Sequence, residues 1–268
     1  MLWRAVRRRR LKLTFLGTGT SFGVPQVGCH CSVCLSDDPR DRRTRVGAVI
    51  ESDTSRILID TPPELRLQLI ANGIDRVDAV LFTHDHADHT HGLDDVRSFA
   101  FGAASALPIY GPAEALESIR KKFSYIFDPT MQPVAGTSKP EGSLCPLEPG
   151  VRVTIAGQEV TPVEVPHGRM HVFGYRVGSI GYVTDAKELP PAAEAILRGV
   201  RVLVLNALFR DSHPTHLSIG EAIATARRVG AERTFLTHLT HRIAHAELEA
   251  ELPDDVRPAF DGLQVTVE

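Results

Sequence analysis

The segment Thr83-His84-Asp85-His86-Ala87-Asp88-His89 sets three imidazoles and two carboxylates side by side. Such a run is odd as a solvated turn, and in a core it is costly unless the groups are paired or metal-bound. Neutral imidazole and carboxylate suit Zn, Mn or Fe(II). The offset of two puts His84 and His86 on the same side of an extended segment, and Asp88-His89 can then turn toward a neighbouring point. One ion cannot readily take all four side chains from so short a stretch, so the spacing points to two adjacent ions. A second cluster, Gly28-Cys29-His30-Cys31-Ser32-Val33-Cys34, offers three thiols on a tight loop. A closed zinc site takes four Cys or His ligands, so a fourth has to come from elsewhere, with His30 a competitor. A redox thiol loop and unliganded thiols are the alternatives. Cys145 stands alone and reads as a small buried apolar residue.

The chain has 268 residues, 43% hydrophobic and 24% charged, with a formal net charge of −3. That composition is close to the globular average and excludes intrinsic disorder, collagen and coiled coil. The length allows a sizeable core in one large domain or two small ones. No run approaches the ~18 apolar residues of a membrane span. The slightly acidic balance gives no whole-protein attraction to nucleic acid or anionic membrane. Residues 1–10 are basic and lack the apolar stretch of a secretory signal. They read as a solvated tail or a start codon placed too early, with an RNA-binding arm as the alternative. A cytoplasmic location is therefore expected, where thiols stay reduced and clustered cysteines serve as ligands or redox groups rather than disulfides.

These groups need elements to position them. Lys12–Leu16 reads as a strand, ended by Gly17-Thr18-Gly19 and followed by a Gly- and Cys-rich loop over roughly 17–40. Strands follow at Val46–Glu51 and Arg56–Asp60. Pro62-Pro63 opens a helix over Glu64–Ala71 that Asn72-Gly73 closes. Val77–Thr83 is an apolar strand running into the histidine cluster. A helical stretch near 93–101, a strand Pro108–Tyr110 and a helix near 112–123 come next. Residues 128–150, rich in Pro, Gly and Ser, read as a long loop or lid. Further strands are expected near 151–155, 158–165, 172–177, 180–184, 200–206, 233–237 and 263–267, with helices at 191–198, 218–229 and 244–251. Strands and helices interleave in both halves, which predicts α/β or α+β. Polar clusters sit just after apolar strands: His84 after Val80–Thr83, His167 after Val163–Pro166, Asp185 after Gly181–Thr184, His238 after Thr234–Thr237. Strand ends on one edge of a core can converge on one crevice.

Thr83–His89 resembles the His-x-His-x-Asp-His signature of the metallo-β-lactamase superfamily. His167, Asp185 in a Val-Thr-Asp-Ala turn and His238 in Phe-Leu-Thr-His follow in that family's order. The resemblance covers essentially the whole chain after residue 11. It implies a four-layer αββα sandwich over 11–268, an α/β (α+β) fold, as a single domain. It also implies that His84, His86 and His167 hold one metal, that Asp88, His89 and His238 hold a second, and that Asp185 bridges both. Asp60, ending Ile57-Leu58-Ile59-Asp60, resembles the family's carboxylate that orients the histidine loop. An Asx turn before Pro62 is the alternative. The cysteine spacing resembles the branch that includes PhnP-type phosphodiesterases. That implies a structural zinc held by Cys29, Cys31, Cys34 and His241, the second histidine of His238-Leu239-Thr240-His241.

Two ions ~3.5–4 Å apart hold a bridging water whose pKa falls toward ~7 and neutralise charge developing on the electrophile. That core alone fits thioesters, lactones, β-lactams and phosphodiesters. The cysteine loop and His213-Pro214-Thr215-His216 narrow it, since His216 matches the place where phosphodiesterase members put a histidine beside the phosphate. The resemblance thus implies cleavage of a small phosphodiester or cyclic phosphate by a hydroxide bridging two Zn or Mn ions, with Asp185 and His216 catalytic. His216 would stabilise the transition state or protonate the leaving alkoxide. The plainer reading of His216 is a first-turn residue of the helix at 218–229, and His213 is a weaker candidate. His91, His171 and His245 read as surface or supporting residues. The chain shows no long inserted arm of the tRNA 3′-end nuclease kind and is too short for a β-CASP domain, which favours a small substrate over a nucleic-acid polymer. A thioester or lactone hydrolase, a tRNA 3′-processing nuclease and a zinc-stapled binding module are the alternatives. A homodimer is suggested by the resemblance alone.

Overall fold

A computed structural model describes residues 10–100, 106–131 and 133–268. The basic start, up to residue 9, lies outside the described residues, as does residue 101 at the end of the expected helical stretch. The first sheet takes β1 (Leu11–Gly17), β2 (Gly47–Glu51), β3 (Arg56–Ile59), β4 (Ala79–Leu81), β5 (Leu107–Gly111) and β6 (Gly142–Pro146). The second takes β7 (Val153–Ile155), β8 (Gln158–His167), β9 (Met170–Val177), β10 (Ile180–Val183), β11 (Val202–Asn206), β12 (Arg233–Thr237) and β13 (Val256–Pro258). The final strand, β14 (Gln264–Val267), returns to the first sheet beside β1. The orders are β14-β1-β2-β3-β4-β5-β6 and β7-β8-β9-β10-β11-β12-β13. In both, the first four strands pair antiparallel and the last four parallel.

The central strands are apolar on both sides because both sides are covered. Ala48, Ile50, Ile57, Ile59 and Leu81 face the second sheet and meet Tyr175, Tyr182, Val202 and Val204. Their neighbours Val49, Leu58 and Val80 face the other way. The helices are α1 (Leu65–Ala71), α2 (Ala87–Thr90), α3 (Arg97–Ala100), α4 (Ala113–Lys122), α5 (Ser124–Phe127), α6 (Pro191–Leu197), α7 (Ile219–Val229) and α8 (His245–Glu251). Leu65 and Leu69 of α1 with Leu116 and Ile119 of α4 cover the first sheet. Leu197 of α6, Ala222 of α7 and Leu248 of α8 cover the second. The result is the expected helix–sheet–sheet–helix sandwich. α7 begins where Ser218 accepts the Glu221 amide while the Glu221 carboxylate accepts the Ser218 amide, and it stops at Gly230 in the left-handed region.

Two expectations fail here, and a third is narrowed. Residues 128–150 are not wholly a loop, because β6 within them pairs in parallel with β5. Cys145 lies on that outermost strand and is half-buried rather than core, since a sheet edge covers a strand incompletely. His245, expected at the surface or in support of the site, is buried at the first position of α8. No helix among the described residues is long and apolar enough to cross a membrane.

Candidate metal centre

Parallel strand ends deliver most of the candidate side chains to one edge of the sandwich. Asp60 follows β3, His84 follows β4, Asp185 follows β10 and His238 follows β12, while His167 is the last residue of β8. Asp60, Asp185 and His238 have φ of 61°, 58° and 57°. For residues with a Cβ this left-handed backbone costs on the order of 1–2 kcal/mol each, and it persists where the surroundings over-determine it. The loop from His84 passes through α2 and packs closely on the first sheet at Gly92. There the amide donates to the Thr61 carbonyl, and any Cβ would collide with the Pro62 carbonyl and Leu65.

Their polar atoms converge. Candidate ligand atoms within 4.8 Å of one another form the sets His84–His86–His167, His84–His89–Asp185, Asp88–His89–His238 and His167–Asp185–His216. Asp185 is the hub: its carboxylate lies 3.4 Å from His89 Nε2, 3.5 Å from His238 Nε2, 3.1 Å from His216 Nε2 and 4.0 Å from His84 Nε2. Asp88 lies 3.5 Å from His89 Nε2 and 4.0 Å from His238 Nε2. Every expected site residue of this group is therefore brought together, and His216 joins it through Asp185.

Hydrogen bonds behind the cluster set its tautomers. Asp60 is fully buried and accepts from the Thr83 amide at 2.8 Å, the Thr83 hydroxyl at 2.9 Å and His89 Nδ1 at 2.7 Å. These are bonds from residues distant in sequence, so the Asx-turn reading of Asp60 is set aside. With its proton given to Asp60, Thr83 Oγ1 accepts from His84 Nδ1 at 2.9 Å. His167 Nδ1 donates to the Thr215 carbonyl at 3.0 Å. An imidazole that spends its proton on Nδ1 presents a bare Nε2. His84 Nε2, His89 Nε2 and both nitrogens of His238 are buried without a hydrogen-bond partner. Orphaned buried acceptors beside carboxylates are what a bound cation would satisfy, so the donor set fits divalent metal. Sequence reasoning missed Thr83 and Thr215 as anchors, because a threonine beside a histidine carries no signal of its own.

Electrostatics agree with that donor set. Burial holds His84 well below the usual histidine range, lowers His167 and pulls His238 down to about 4, leaving neutral imidazoles. Burial also opposes charge on Asp185 and His89, yet their neighbours win. His238, His89 and His216 hold Asp185 well below the carboxylate range, and Asp185 with Asp60 holds His89 well above the histidine range. A ring with a carboxylate at each nitrogen marks a point that demands positive charge.

The second cluster forms at the joint between the β1–β2 connection and the turn after β12. Cys29, Cys31 and Cys34 Sγ lie 3.2, 3.4 and 3.5 Å from His241 Nδ1. Tetrahedral zinc with bonds of ~2.3 Å to sulfur and ~2.0 Å to nitrogen spaces those atoms about 3.5 Å apart. His30 is exposed and outside the cluster. The Cys34 amide helps lower the Cys31 thiol to about 6, while burial raises Cys34 to about 11.

Fold and donor set together define a class. Residues 55–239 match the family model described as "Beta-lactamase superfamily domain", and the chain belongs to the metallo-β-lactamase superfamily of hydrolases, whose fold implies divalent metal binding. A diphosphatase of the PhnP family, known as a crystal structure, superposes with a TM-score of 0.89 at 36% identity, over 96% of this chain and 97% of that one. An octanoyltransferase of Porphyromonas gingivalis is 39% identical over 264 residues, 96% of this chain and 52% of that protein. The chain thus spans about half the length of that relative. Ribonuclease Z of Methanopyrus kandleri is 26% identical over 97% of this chain and 99% of its own length.

Proposed function

We propose that the chain hydrolyses a small phosphodiester or cyclic phosphate at a dinuclear metal site. In this reading His84, His86 and His167 hold one divalent ion, Asp88, His89 and His238 hold a second, and Asp185 touches both. Zn and Mn suit these donors, and Cys29, Cys31, Cys34 and His241 hold a separate structural zinc. The active-site ions would supply a hydroxide at neutral pH and positive charge for the phosphate oxygens. The chain's own residues do the rest. Asp60 and Thr83 take the Nδ1 protons of His89 and His84 and so turn each Nε2 toward the centre, and the Thr215 carbonyl does the same for His167.

The observation that carries the reading is the place of His216. Its Nε2 reaches Asp185, its ring stacks on His238 at 4.8 Å, and it lines the cavity beside the centre. Thr215 Oγ1, 2.8 Å from Nδ1, steadies the ring. An alkoxide is a poor leaving group and needs a proton as the P–O bond breaks, and an imidazole at Nε2 can give it. A thiolate leaving group has no such need. The PhnP-family neighbour, similar over its whole length, supports the same choice.

A second reading is thioester or lactone hydrolysis on the same core, and the likeness to an octanoyltransferase, of which this chain spans about half, points toward acyl substrates. Turnover of bis(p-nitrophenyl) phosphate, S-lactoylglutathione and a precursor tRNA by Zn- or Mn-loaded protein separates the readings. Activity on the phosphodiester is expected; activity confined to the thioester, or to the RNA, would sink the proposal.

A further inference from the structure

We infer that Arg242 binds a second anionic group on the leaving side of the substrate, so that the chain favours phosphodiesters whose leaving group carries its own carboxylate or phosphate. This inference rests on the phosphodiester reading above.

A cavity of about 430 Å³ opens beside His216 and His238. That volume falls within the range of ligand pockets and suits a group of sugar or nucleoside size. Phe209 and Arg242 line it together with His216, His238 and residues 20–23. Among the described residues no acidic side chain lines it. The Arg242 guanidinium lies 4.3 Å over the Phe209 ring. No carboxylate among the described residues pairs with it, whereas nearby Arg210 is neutralised by Glu247 and Glu251. The contact with the Phe209 ring restrains an otherwise flexible side chain, and a guanidinium fork with no carboxylate partner is the group that recognises carboxylate and phosphate.

The backbone under Arg242 is also held. His241 meets the three cysteine sulfurs, and the Gln26 amide donates to Cys34 Sγ at 3.3 Å, so the cysteine cluster ties together two lining residues, Gln26 and His241, the second next to Arg242. A leaving group in this cavity puts its bridging oxygen beside His216 and its distal end against Arg242. In the reaction water yields one proton to solvent as its oxygen bonds to phosphorus, the bond to the leaving oxygen breaks, that oxygen takes the proton from His216 Nε2, and solvent returns a proton to His216. The second anion takes no part in bond making.

The test compares methyl 4-nitrophenyl phosphate with its 3-carboxy-4-nitrophenyl analogue, using metal-loaded wild type, Arg242→Ala and Arg242→Lys. Wild type is expected to prefer the carboxylated diester at least about tenfold in kcat/KM, mainly through KM, as a charge-assisted contact would give. The preference should fall toward one in Arg242→Ala and return in part in Arg242→Lys. The same preference in wild type and Arg242→Ala at equal melting temperature overturns the inference. Calorimetry with 4-hydroxybenzoate and with 4-hydroxyphenyl phosphate gives an independent arm. The anion whose binding Arg242→Ala weakens more is the one the pocket takes; if neither weakens, the inference is wrong. Should neither diester be turned over, the phosphodiester reading fails, and the calorimetric comparison still decides the role of Arg242.

Discussion

The two sheets carry the same strand pattern, and each ends the strand at its antiparallel-to-parallel switch with a left-handed aspartate. Asp60 follows β3 in the first sheet, and Asp185 follows β10 in the second. Both carboxylates touch one histidine: Asp60 lies 2.7 Å from His89 Nδ1, and Asp185 lies 3.4 Å from His89 Nε2. Yet their surroundings differ. Asp60 is saturated by protein donors, the Thr83 amide, the Thr83 hydroxyl and His89. Asp185 takes one fixed hydroxyl donor, Thr184 at 2.7 Å, and otherwise faces imidazole Nε2 atoms. One turn geometry thus serves two ends: a carboxylate whose lone pairs are used up can orient ligands, and one whose lone pairs are free can be a ligand.

The largest effect is expected where that difference is erased on the ligand side. Asp185→Asn should lower turnover by at least about 10³-fold and strip the active-site ions, with the far-ultraviolet dichroism unchanged. Near-normal rates would show that Asp185 is no more a ligand than Asp60 is. Asp60→Asn comes next. Its amide group would point a donor at the donors of Thr83 and His89, forcing the His89 tautomer to change. Metal affinity or activity should fall about 10–100-fold, and metal titration should show it. A loss as large as that of Asp185→Asn would dissolve the distinction between the two aspartates.

The legible parts of the molecule were those written locally. His84 to His89 stand side by side, and strands buried on both faces, such as β2, β3 and β11, announce themselves as apolar runs. The helix at 219–229 carries its own cap and stop. What failed to show depends on partners far along the chain. β6 and β13 are outermost parallel strands that include a proline, short and weakly patterned, and their strand character comes from β5 and β12. The strand expected over 77–83 stops at Leu81, and the Thr83 amide leaves the ladder for Asp60. The pairing of His241 with the cysteines spans more than two hundred positions, and spacing alone could not choose it over His30. The family resemblance could.

The remaining predictions concern the joint between the β1–β2 connection of the first sheet and the turn after β12 of the second. Turnover should suffer less here than at either aspartate. Cys31→Ser should lower the bound metal from about three ions per chain to about two and the melting temperature by about 10 °C or more, because a structural zinc adds its binding energy to folding. Abolished turnover with unchanged melting would make the loop catalytic instead.

The same joint holds a smaller, pH-dependent effect. Arg43, nearly buried, donates to His245 Nδ1 at 3.1 Å, and Asp41 accepts the His245 amide at 2.7 Å. Burial, with Arg43 and Arg40 beside it, pulls His245 down to about 4. The unfolded chain, with an ordinary value near ~6.5, takes up this proton first as pH falls. The folded state therefore loses stability between about pH 6.5 and 4, by up to roughly 3 kcal/mol from this residue. In His245→Gln the amide oxygen can still accept from Arg43, but nothing titrates. Denaturant unfolding across that window should be flatter for the variant than for wild type, with turnover at neutral pH little changed. Parallel curves would mean that His245 keeps its proton balance on folding and adds no pH dependence to the joint.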